Sequence, residues 1–176
     1  MAVGHFQIGS IAVRVLSFDD EEVNDNFWHG KLQSAFDMRR SIGIVDNTDN
    51  NTYRLVHGEG DNVPGLVIDV YGETAVMQAH SVGIHVERHR IASQLVIVMG
   101  DRVKNVYYKS ETTLPFKAGL EQEDGFIIGG SKDNVALENG LKFHVDWLKG
   151  QKTGFFVDQR DNRSLLEHFS RGKKVL

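Results

Sequence analysis

The sequence predicts an α+β protein with a central mixed α/β region whose sheet is largely antiparallel. Helical and strand periodicities follow each other without a strict βαβ rhythm, which disfavours a doubly wound parallel sheet. Asn139-Gly140 separates two short alternating segments, and this dipeptide is a strong signal for a tight β-hairpin. Apolar residues make up 40% and charged residues 25% of the chain, a composition that is typical of globular proteins and excludes disorder.

The N-terminal part predicts two short strands followed by a helix. In residues 3–20, apolar and polar residues alternate on either side of Gly9-Ser10. Residues 26–42 carry apolar side chains at helical spacing, and Asn24 or Asp25 precedes them as a candidate N-cap. Residues 46–51 are all polar, have no apolar side chain to place in a core, and therefore predict a loop.

The remainder predicts strands and helices in mixed order. The expected strands are Tyr53–His57, Leu66–Tyr71, Thr74–His80, Val103–Tyr108, Val135–Glu138 and Leu141–Val145. The expected helices are Ile84–Met99 and Asp158–Ser170, the second with Asp158 as its N-cap. Residues Lys109–Gly125 are polar, contain Pro115 and predict a long loop.

Composition excludes several kinds of site. The chain contains no cysteine, so disulfides, thiolate metal sites and a cysteine nucleophile are excluded among these residues. No apolar stretch approaches the roughly 20 residues of a membrane span, and no basic segment followed by an apolar one marks a secretory signal. We therefore expect a cytoplasmic protein that makes no contact with a membrane.

Charge is unevenly distributed along the chain. The net charge is −4, yet residues 147–176 contain seven basic and three acidic residues, which leaves −8 on the other 146 residues. The basic residues are Lys149, Lys152, Arg160, Arg163, Arg171, Lys173 and Lys174. Two interpretations stay open, a solvated basic helix face and a segment that faces phosphates.

The run GQKTGFFVDQRDNR at residues 150–163 is dense in groups that contact anions and bases. Its two glycines allow close approach of the backbone, and its aromatic rings offer faces on which a base could stack. Gln159 has both amide donors and acceptors, and Arg160 and Arg163 share one helix face. The alternative is a packed loop and helix whose aromatic residues belong to the core and whose Asp158 pairs with an arginine.

Two weaker constellations have simpler structural explanations. His85 and His89 lie four residues apart, but the string is HVERH and not HExxH, so an amphipathic surface helix is favoured over a metal site. Asp61 with Asp69, or Glu59 with Asp61, could form a carboxylate pair for acid–base catalysis in a small hydrolase. Turn capping and hairpin geometry explain these carboxylates more simply.

The run GQKTGFFVDQRDNR resembles the signature that introduces the catalytic domain of bacterial S-adenosylmethionine-dependent rRNA large-subunit methyltransferases. These are PUA-containing cytosine-C5 methyltransferases that act on 23S rRNA. Three further segments resemble the family in order and spacing: GHFQIGSIAVRVLSFD the end of the PUA domain, HGEGDNVPGLVIDVYG the opening of the central domain, and ENGLKFHVD the hairpin before the signature.

The resemblance implies a division of the chain and a reaction. Residues 1–22 would be the C-terminal part of a PUA β-barrel, 23–45 a linking helix, 46–148 the central domain and 149–176 the lead-in to a methyltransferase domain. The parent enzyme would use S-adenosylmethionine, bind ribosomal RNA and form 5-methylcytosine. The segment Lys173–Leu176 reads as the start of a strand, so we expect the chain to be the front of a larger enzyme.

The resemblance also implies site residues. Phe155, Gln159 and Arg160 would border the cofactor, and the residues expected to bind RNA are Arg14, Lys149, Lys152 and Arg163. No catalytic residue is predicted, because the cysteine nucleophile is absent, and no metal ligand is predicted either. We expect this chain to be inactive and free of cofactor on its own. A non-catalytic RNA- or protein-binding module is the alternative, and a homodimer is left open.

Overall fold

The computed structural model describes residues 1–9, 11–115, 120, 123–131 and 133–175. Three helices lie in the described part: α1 (Asp25–Ser41), α2 (Val82–Met99) and α3 (Arg160–Ser170). The strands are β1 (Val3–Phe6), β2 (Val13–Ser17), β3 (Thr52–His57), β4 (Leu66–Tyr71), β5 (Thr74–Ala79), β6 (Asn105–Tyr108), β7 (Gly125–Ile128), β8 (Val135–Glu138) and β9 (Leu141–His144).

A five-stranded sheet in the order β3-β4-β5-β6-β7 forms the centre of the protein. Three of its four pairings are antiparallel, and β5 pairs with β6 in parallel because α2 carries the chain across between them. The predicted mixed and largely antiparallel sheet is therefore confirmed. Two separate hairpins, β1-β2 and β8-β9, complete the described strands.

Helices α1 and α2 cover one face of this sheet, which we call the helix face. Alternate residues of β4, such as Leu66, Ile68 and Val70, lie in a core with Trp28 and Leu95 from the two helices. Helix α1 is capped by Asn24, one of its two predicted candidates, and α2 is capped by Ser81. The side chains of Asn24 and Ser81 accept hydrogen bonds from the first turns.

The β8-β9 hairpin and residues 145–157 cover the opposite face, which we call the second face. Its smaller apolar cluster contains Tyr71, Tyr107, Ala136, Val145 and Trp147. Asn139 and Gly140 both have positive φ, 51° and 76°, as the tight turn of a twisted hairpin requires. The second face therefore brings residues far apart in sequence next to the glycine-rich run.

Most predicted elements are confirmed within one to three residues, and three expectations are wrong. Strand β7 (Gly125–Ile128) begins where a long loop was expected to end and was not anticipated. Asp158 does not cap the last helix, since it lies in a 3₁₀ turn that precedes α3. Residues 173–175 are not in a strand. Ser10 and Leu176 lie outside the described residues, and the PUA origin of the β1-β2 hairpin stays a prediction.

Among the residues that the structure describes, none of the helices is both long and apolar enough to cross a membrane.

Candidate functional site

The run 147–163 lies against the second face of the sheet. Trp147 stacks on Tyr71, with ring centroids 6.4 Å apart and planes 9° from parallel. Both rings are almost fully buried, so the indole fixes the start of the run on strand β4. This packing follows from the alternation in β4, which points Tyr71 away from the helix face.

A buried polar cluster, which we call the Asp69 clamp, fastens the middle of the run. Asp69 is 0% exposed and accepts two hydrogen bonds from Arg54, at 2.9 and 3.0 Å. The Thr153 hydroxyl donates to the same carboxylate at 2.6 Å and lies 2.8 Å from the Tyr71 hydroxyl. Tyr71 in turn donates to the Phe155 carbonyl at 3.2 Å. The clamp therefore ties residues 153–155 to strand β4, and Arg54 of β3 holds the same carboxylate.

The electrostatics of the clamp follow from its burial. Removal from water and the Asp69 carboxylate both raise the pKa of Tyr71, so its hydroxyl remains protonated. The hydrogen bonds to Asp69 raise the pKa of Arg54 further. A buried carboxylate is stable only when paired and hydrogen-bonded, and here Arg54 and Thr153 satisfy Asp69.

Gly150 and Gly154 allow the backbone to cross itself tightly. A Cβ atom on Gly150 would lie 2.2 Å from the Asp146 carbonyl oxygen, and Gly154 has φ = +118°. The Lys109 ammonium, which directly follows strand β6, donates to the Gly150 carbonyl at 2.5 Å and holds this crossing. The prediction that these glycines permit close approach of the backbone is confirmed.

A second buried ion cluster holds the start of α3. Glu138 is 2% exposed and accepts hydrogen bonds from Arg163 at 2.6 and 2.7 Å, while Arg160 lies 3.5 Å away. Arg160 also donates to the Thr52 carbonyl. Arg160 and Arg163 do share one side of α3, as predicted, and that side faces the protein.

The three residues predicted to border the cofactor occupy different surroundings. The centroid of the Phe155 ring lies 5.3 Å from that of Phe143 and 4.2 Å from the guanidinium of Arg163. Gln159 is exposed and accepts a hydrogen bond from Asn162. In this conformation Phe155 and Arg160 are already engaged by the protein, so the three do not form a cradle for a cofactor. Their cofactor role stays a prediction.

Arg160 lines a cleft of about 640 Å³ between α1, β3 and the start of α3. Its polar walls include Arg39, Arg54, His57 and Asp61. Its apolar lining is Met38, Ile42, Ile44, Tyr53 and Val157. The cleft is open, and its charged lining is balanced, because Arg39, Arg54 and Arg160 are accompanied by Asp61, Asp158 and Asp161.

The residues predicted to bind RNA divide into two groups. Lys149 and Lys152 are exposed on the turn that the Asp69 clamp holds, and the Lys152 ammonium lies 4.8 Å above the Phe156 ring. Arg163 faces inward to Glu138. Arg14 lies half-buried on β2, with Cδ 3.6 Å from a Cβ position at Gly65. The RNA-binding role of all four stays a prediction.

Arg14 belongs to a cluster of charges at the end of strand β5. Two of its guanidinium nitrogens, Nε and Nη1, are buried without a hydrogen-bond partner in the described part of the chain. Burial first, and then the charges of Arg14 and Arg54, lower the pKa of His80, which Glu59 partly offsets. An unpaired buried guanidinium is costly, so this cluster would be stabilised by an anion.

The other sequence candidates have structural roles. Asp61 forms a two-pronged ion pair with Arg39 and accepts from the His57 backbone amide. Asp61 and Asp69 are therefore both paired with arginines. Two of the three carboxylates considered for a hydrolase are thus not free. His85 is buried beside the Tyr108 hydroxyl at 2.7 Å. Among the residues described, none group into a potential metal site.

Sequence reasoning missed the partners that make the site. Arg54, Tyr71, Thr153 and Glu138 were not singled out, because each lies in an ordinary strand or turn. One signal was present for Asp69, a carboxylate between Ile68 and Val70 in an otherwise apolar strand. A charge at such a position predicts a buried partner.

Comparison with known proteins gives related sequences over nearly the whole chain. The chain is 35% identical over 168 residues to "Ribosomal RNA large subunit methyltransferase I" of Vibrio vulnificus strain YJ016. It is 37% identical over 173 residues to the protein of the same name from Shewanella frigidimarina. These alignments cover 94% of this chain but only 41% and 42% of the relatives, so the chain spans about two fifths of their length.

Two solved structures share the fold. A protein from Streptococcus mutans that is assigned as a SAM-dependent methyltransferase superposes with a TM-score of 0.73 at 23% identity, covering 88% of this chain and 39% of that one. A protein assigned as a methyltransferase, in complex with SAH, gives a TM-score of 0.72, again at 23% identity. No protein-family model matches the chain.

Proposed function

We propose that this protein acts in the S-adenosylmethionine-dependent methylation of large-subunit ribosomal RNA, and that these 176 residues hold the RNA. Similarity over 94% of the chain to proteins named for this activity supports the proposal. The chain spans about two fifths of those proteins, so the whole reaction is proposed for a protein of their full length. Such a protein would act on ribosomal RNA in the cytoplasm.

The RNA-holding role is supported by the rigid attachment of the turn that contains Lys149 and Lys152, which we call the lysine turn. The Asp69 clamp fixes Thr153, and Lys152 is therefore presented at a defined place with a positive φ of 51°. Lys149 is exposed on the same turn. Phosphate contacts that are held in place by a rigid scaffold need less side-chain ordering on binding. Arg14, with two guanidinium nitrogens that lack a hydrogen-bond partner in the described residues, offers a further phosphate contact on the β1-β2 hairpin.

We further propose 5-methylcytosine as the product of the full-length protein. Methylation at cytosine C5 uses a thiolate that adds to the ring at C6, which activates C5 as the methyl acceptor. This chain has no cysteine, so the thiolate has to come from residues outside these 176. The chain alone is therefore proposed to be inactive, and no step of methyl transfer is assigned to its residues.

Binding of S-adenosylmethionine by the chain alone is expected to be weak, because Phe155 and Arg160 are engaged by protein groups. Isothermal titration calorimetry with the purified chain checks this expectation. A dissociation constant in the low micromolar range, roughly −8 kcal/mol, would show that a complete cofactor site is present. Such a result would contradict the engagement of Phe155 and Arg160 by protein groups.

Salt-dependent RNA affinity tests the RNA-holding role. Fluorescence anisotropy with segments of an unmodified 23S rRNA transcript would be measured from about 50 to 200 mM salt. Lys152→Ala and Lys149→Ala should each weaken binding and reduce the salt slope by about one unit. Lys104→Ala is the matched control, because this exposed lysine pairs with Glu73 away from the run. Equal slopes for all three variants and the wild type would contradict the proposal.

A non-catalytic RNA-binding module is the second candidate. The engagement of Phe155 by Phe143 and Arg163 favours it, since this aromatic ring is not free for a cofactor or a base. Deletion of the encoding gene, followed by mass spectrometry of 23S rRNA nucleosides, separates the two. Loss of one 5-methylcytosine supports the methyltransferase, and an unchanged modification profile supports the module.

A further inference from the structure

The Asn139-Gly140 turn joins strands β8 and β9 and is the one Asn-Gly pair in the chain. Asparagine is a chemically labile residue, and it deamidates most readily when glycine follows it. The reason is that glycine has no side chain to obstruct attack of its own amide nitrogen on the asparagine side chain. The turn therefore carries the groups for a spontaneous covalent modification.

Deamidation begins at the backbone of the second residue. The Gly140 amide nitrogen loses its proton and attacks the side-chain carbonyl carbon of Asn139, so that a new C–N bond forms. The Asn139 side-chain nitrogen takes up a proton and leaves as ammonia. Water then opens the resulting cyclic imide at either carbonyl, which gives aspartate or isoaspartate. In the isoaspartate product the main chain passes through the Cβ atom of residue 139 and is longer by that atom.

The loop at residues 47–51 holds both backbone amides of this turn, and we call it the asparagine loop. The Gly140 N–H donates to the Asp49 carbonyl at 2.9 Å, and the Asn139 N–H donates to the Asn50 side-chain oxygen at 2.9 Å. The nitrogen that attacks in deamidation is thus held against a carbonyl of the loop. Formation of the imide requires that this hydrogen bond break and that the peptide turn toward the side chain, so the loop has to open first.

The asparagine loop is itself fastened to β8 and to the end of β4. The Asn51 backbone N–H donates to the Leu137 carbonyl at 3.1 Å, and the Asn51 side-chain oxygen accepts from the Leu137 N–H at 2.6 Å. The Asn51 carbonyl accepts from the Gly72 N–H at 3.0 Å. Within the loop, the Asp49 N–H donates to the Asn47 side chain at 2.9 Å. Opening of the loop therefore breaks several hydrogen bonds together, which makes it infrequent.

The residue before the turn connects this chemistry to the candidate site. Glu138 is 2% exposed and holds Arg163 and Arg160 at the start of α3. It also pairs with Leu141 across the turn. An added main-chain atom at residue 139 shifts Glu138 relative to Leu141. Buried ion pairs depend on direction as well as distance, so a shifted carboxylate holds the two arginines less well.

We propose that Asn139 is a site of spontaneous deamidation whose rate is controlled by the asparagine loop, and that its isoaspartate product loosens the attachment of α3. With the loop closed, the Gly140 nitrogen is held and the asparagine persists. Opening of the loop frees the turn to form the imide. The extent of modification therefore depends on how often the loop opens.

Peptide mass spectrometry of the 176-residue chain after prolonged incubation tests the control by the loop. Asn50→Ala removes the acceptor of the Asn139 amide and should raise the deamidation rate at residue 139 about fivefold, the factor that one net hydrogen bond contributes. Asn24→Ala is the matched control, because it also removes an asparagine oxygen that accepts from a backbone amide, that of Phe27 in α1. Its rate should equal that of the wild type. Equal rates for Asn50→Ala and the wild type would overturn the control by the loop.

Unfolding gives a second measurement that needs no substitution. In urea at a concentration that unfolds the chain, the asparagine loop no longer holds Gly140. Deamidation of Asn139 should then be at least about tenfold faster than in the folded chain. A folded chain that deamidates as fast as the unfolded one would contradict the proposal, and this comparison remains available if Asn50→Ala fails to fold.

Hydrogen exchange tests the effect on α3. The isoaspartate form, separated by chromatography after incubation, should exchange the backbone amides of α3 faster than the fresh chain does. Asn139→Asp is the matched control, because it adds the same charge without lengthening the main chain. Its exchange in α3 should equal that of the fresh chain. An isoaspartate form with unchanged exchange in α3 would overturn the link between the turn and the Glu138 cluster.

Discussion

The two faces of the central sheet are held by different interactions. On the helix face, residues such as Ile68 and Leu95 are 0% exposed and belong to a large apolar core. On the second face, the adjacent residue Asp69 is equally buried but is held by ions and hydroxyls. Apolar packing tolerates small shifts, whereas a buried carboxylate fixes its partners in direction as well as in distance. The helix face therefore stabilises the fold, and the second face positions the candidate site.

Substitutions at the neighbouring positions 68 and 69 of strand β4 test this division. The largest effect on stability is expected for Ile68→Ala. Ile68→Ala removes buried methyl groups from the helix face and should lower the free energy of unfolding by about 2–5 kcal/mol. Urea denaturation measures this loss. The RNA salt slope of the folded variant should equal that of the wild type, because the lysine turn is untouched. A changed slope would show that the two faces are coupled.

Asp69→Asn should destabilise the protein less than Ile68→Ala does, but it should disturb the Asp69 clamp. The variant leaves Arg54 without its carboxylate, and Arg54 is 31% exposed, so water offsets part of the loss. We expect the free energy of unfolding to fall by about 1–3 kcal/mol. RNA affinity should fall as well, because the amide keeps only one acceptor oxygen for Arg54 and Thr153 together, which weakens the attachment of the Lys152 turn. An RNA affinity that stays at the wild-type value would separate the clamp from RNA binding.

Thr153→Val sharpens the same comparison with a smaller change. The substitution keeps the shape of the side chain and removes its hydroxyl, which donates to Asp69 and lies beside Tyr71. Loss of one buried hydrogen bond should lower the free energy of unfolding by about 1–2 kcal/mol. Thr113→Val is a matched control, since the Thr113 hydroxyl also donates inside the protein but to the Ala79 carbonyl. Only the Thr153 variant should weaken RNA binding.

The pH dependence of stability should come partly from the helix face. Burial first, and then the charges of Arg88 and His89, lower the pKa of His85 below its usual 6.5. The unfolded chain then binds a proton more readily than the folded one. The contribution of His85 is therefore complete above pH 6.5 and is lost as the pH falls toward the folded-state pKa. Replacing His85 with Gln should flatten the decline between pH 7 and pH 5 in urea titrations.

The sequence predicted the elements of the central sheet because their signals are local. Strand Leu66–Tyr71 is bounded by Gly65 and Gly72, and the Asn139-Gly140 turn has a backbone preference of its own. The missed strand β7 follows a polar stretch and has only four half-buried residues, so its pairing with β6 gave no periodic signal. Its existence depends on a free edge of β6, which is a tertiary feature.

By itself, the sequence determined the secondary structure, the uneven charge and the absence of a cysteine, since these depend on residue type and on neighbours in the chain. It also indicated the importance of the glycine-rich run through its composition. Only the tertiary structure decided what each side chain in the run contacts. Arg163 pairs with Glu138 and Thr153 with Asp69, 25 and 84 residues away. Contacts across such separations arise from the packing of strands against one another, which no local spacing encodes.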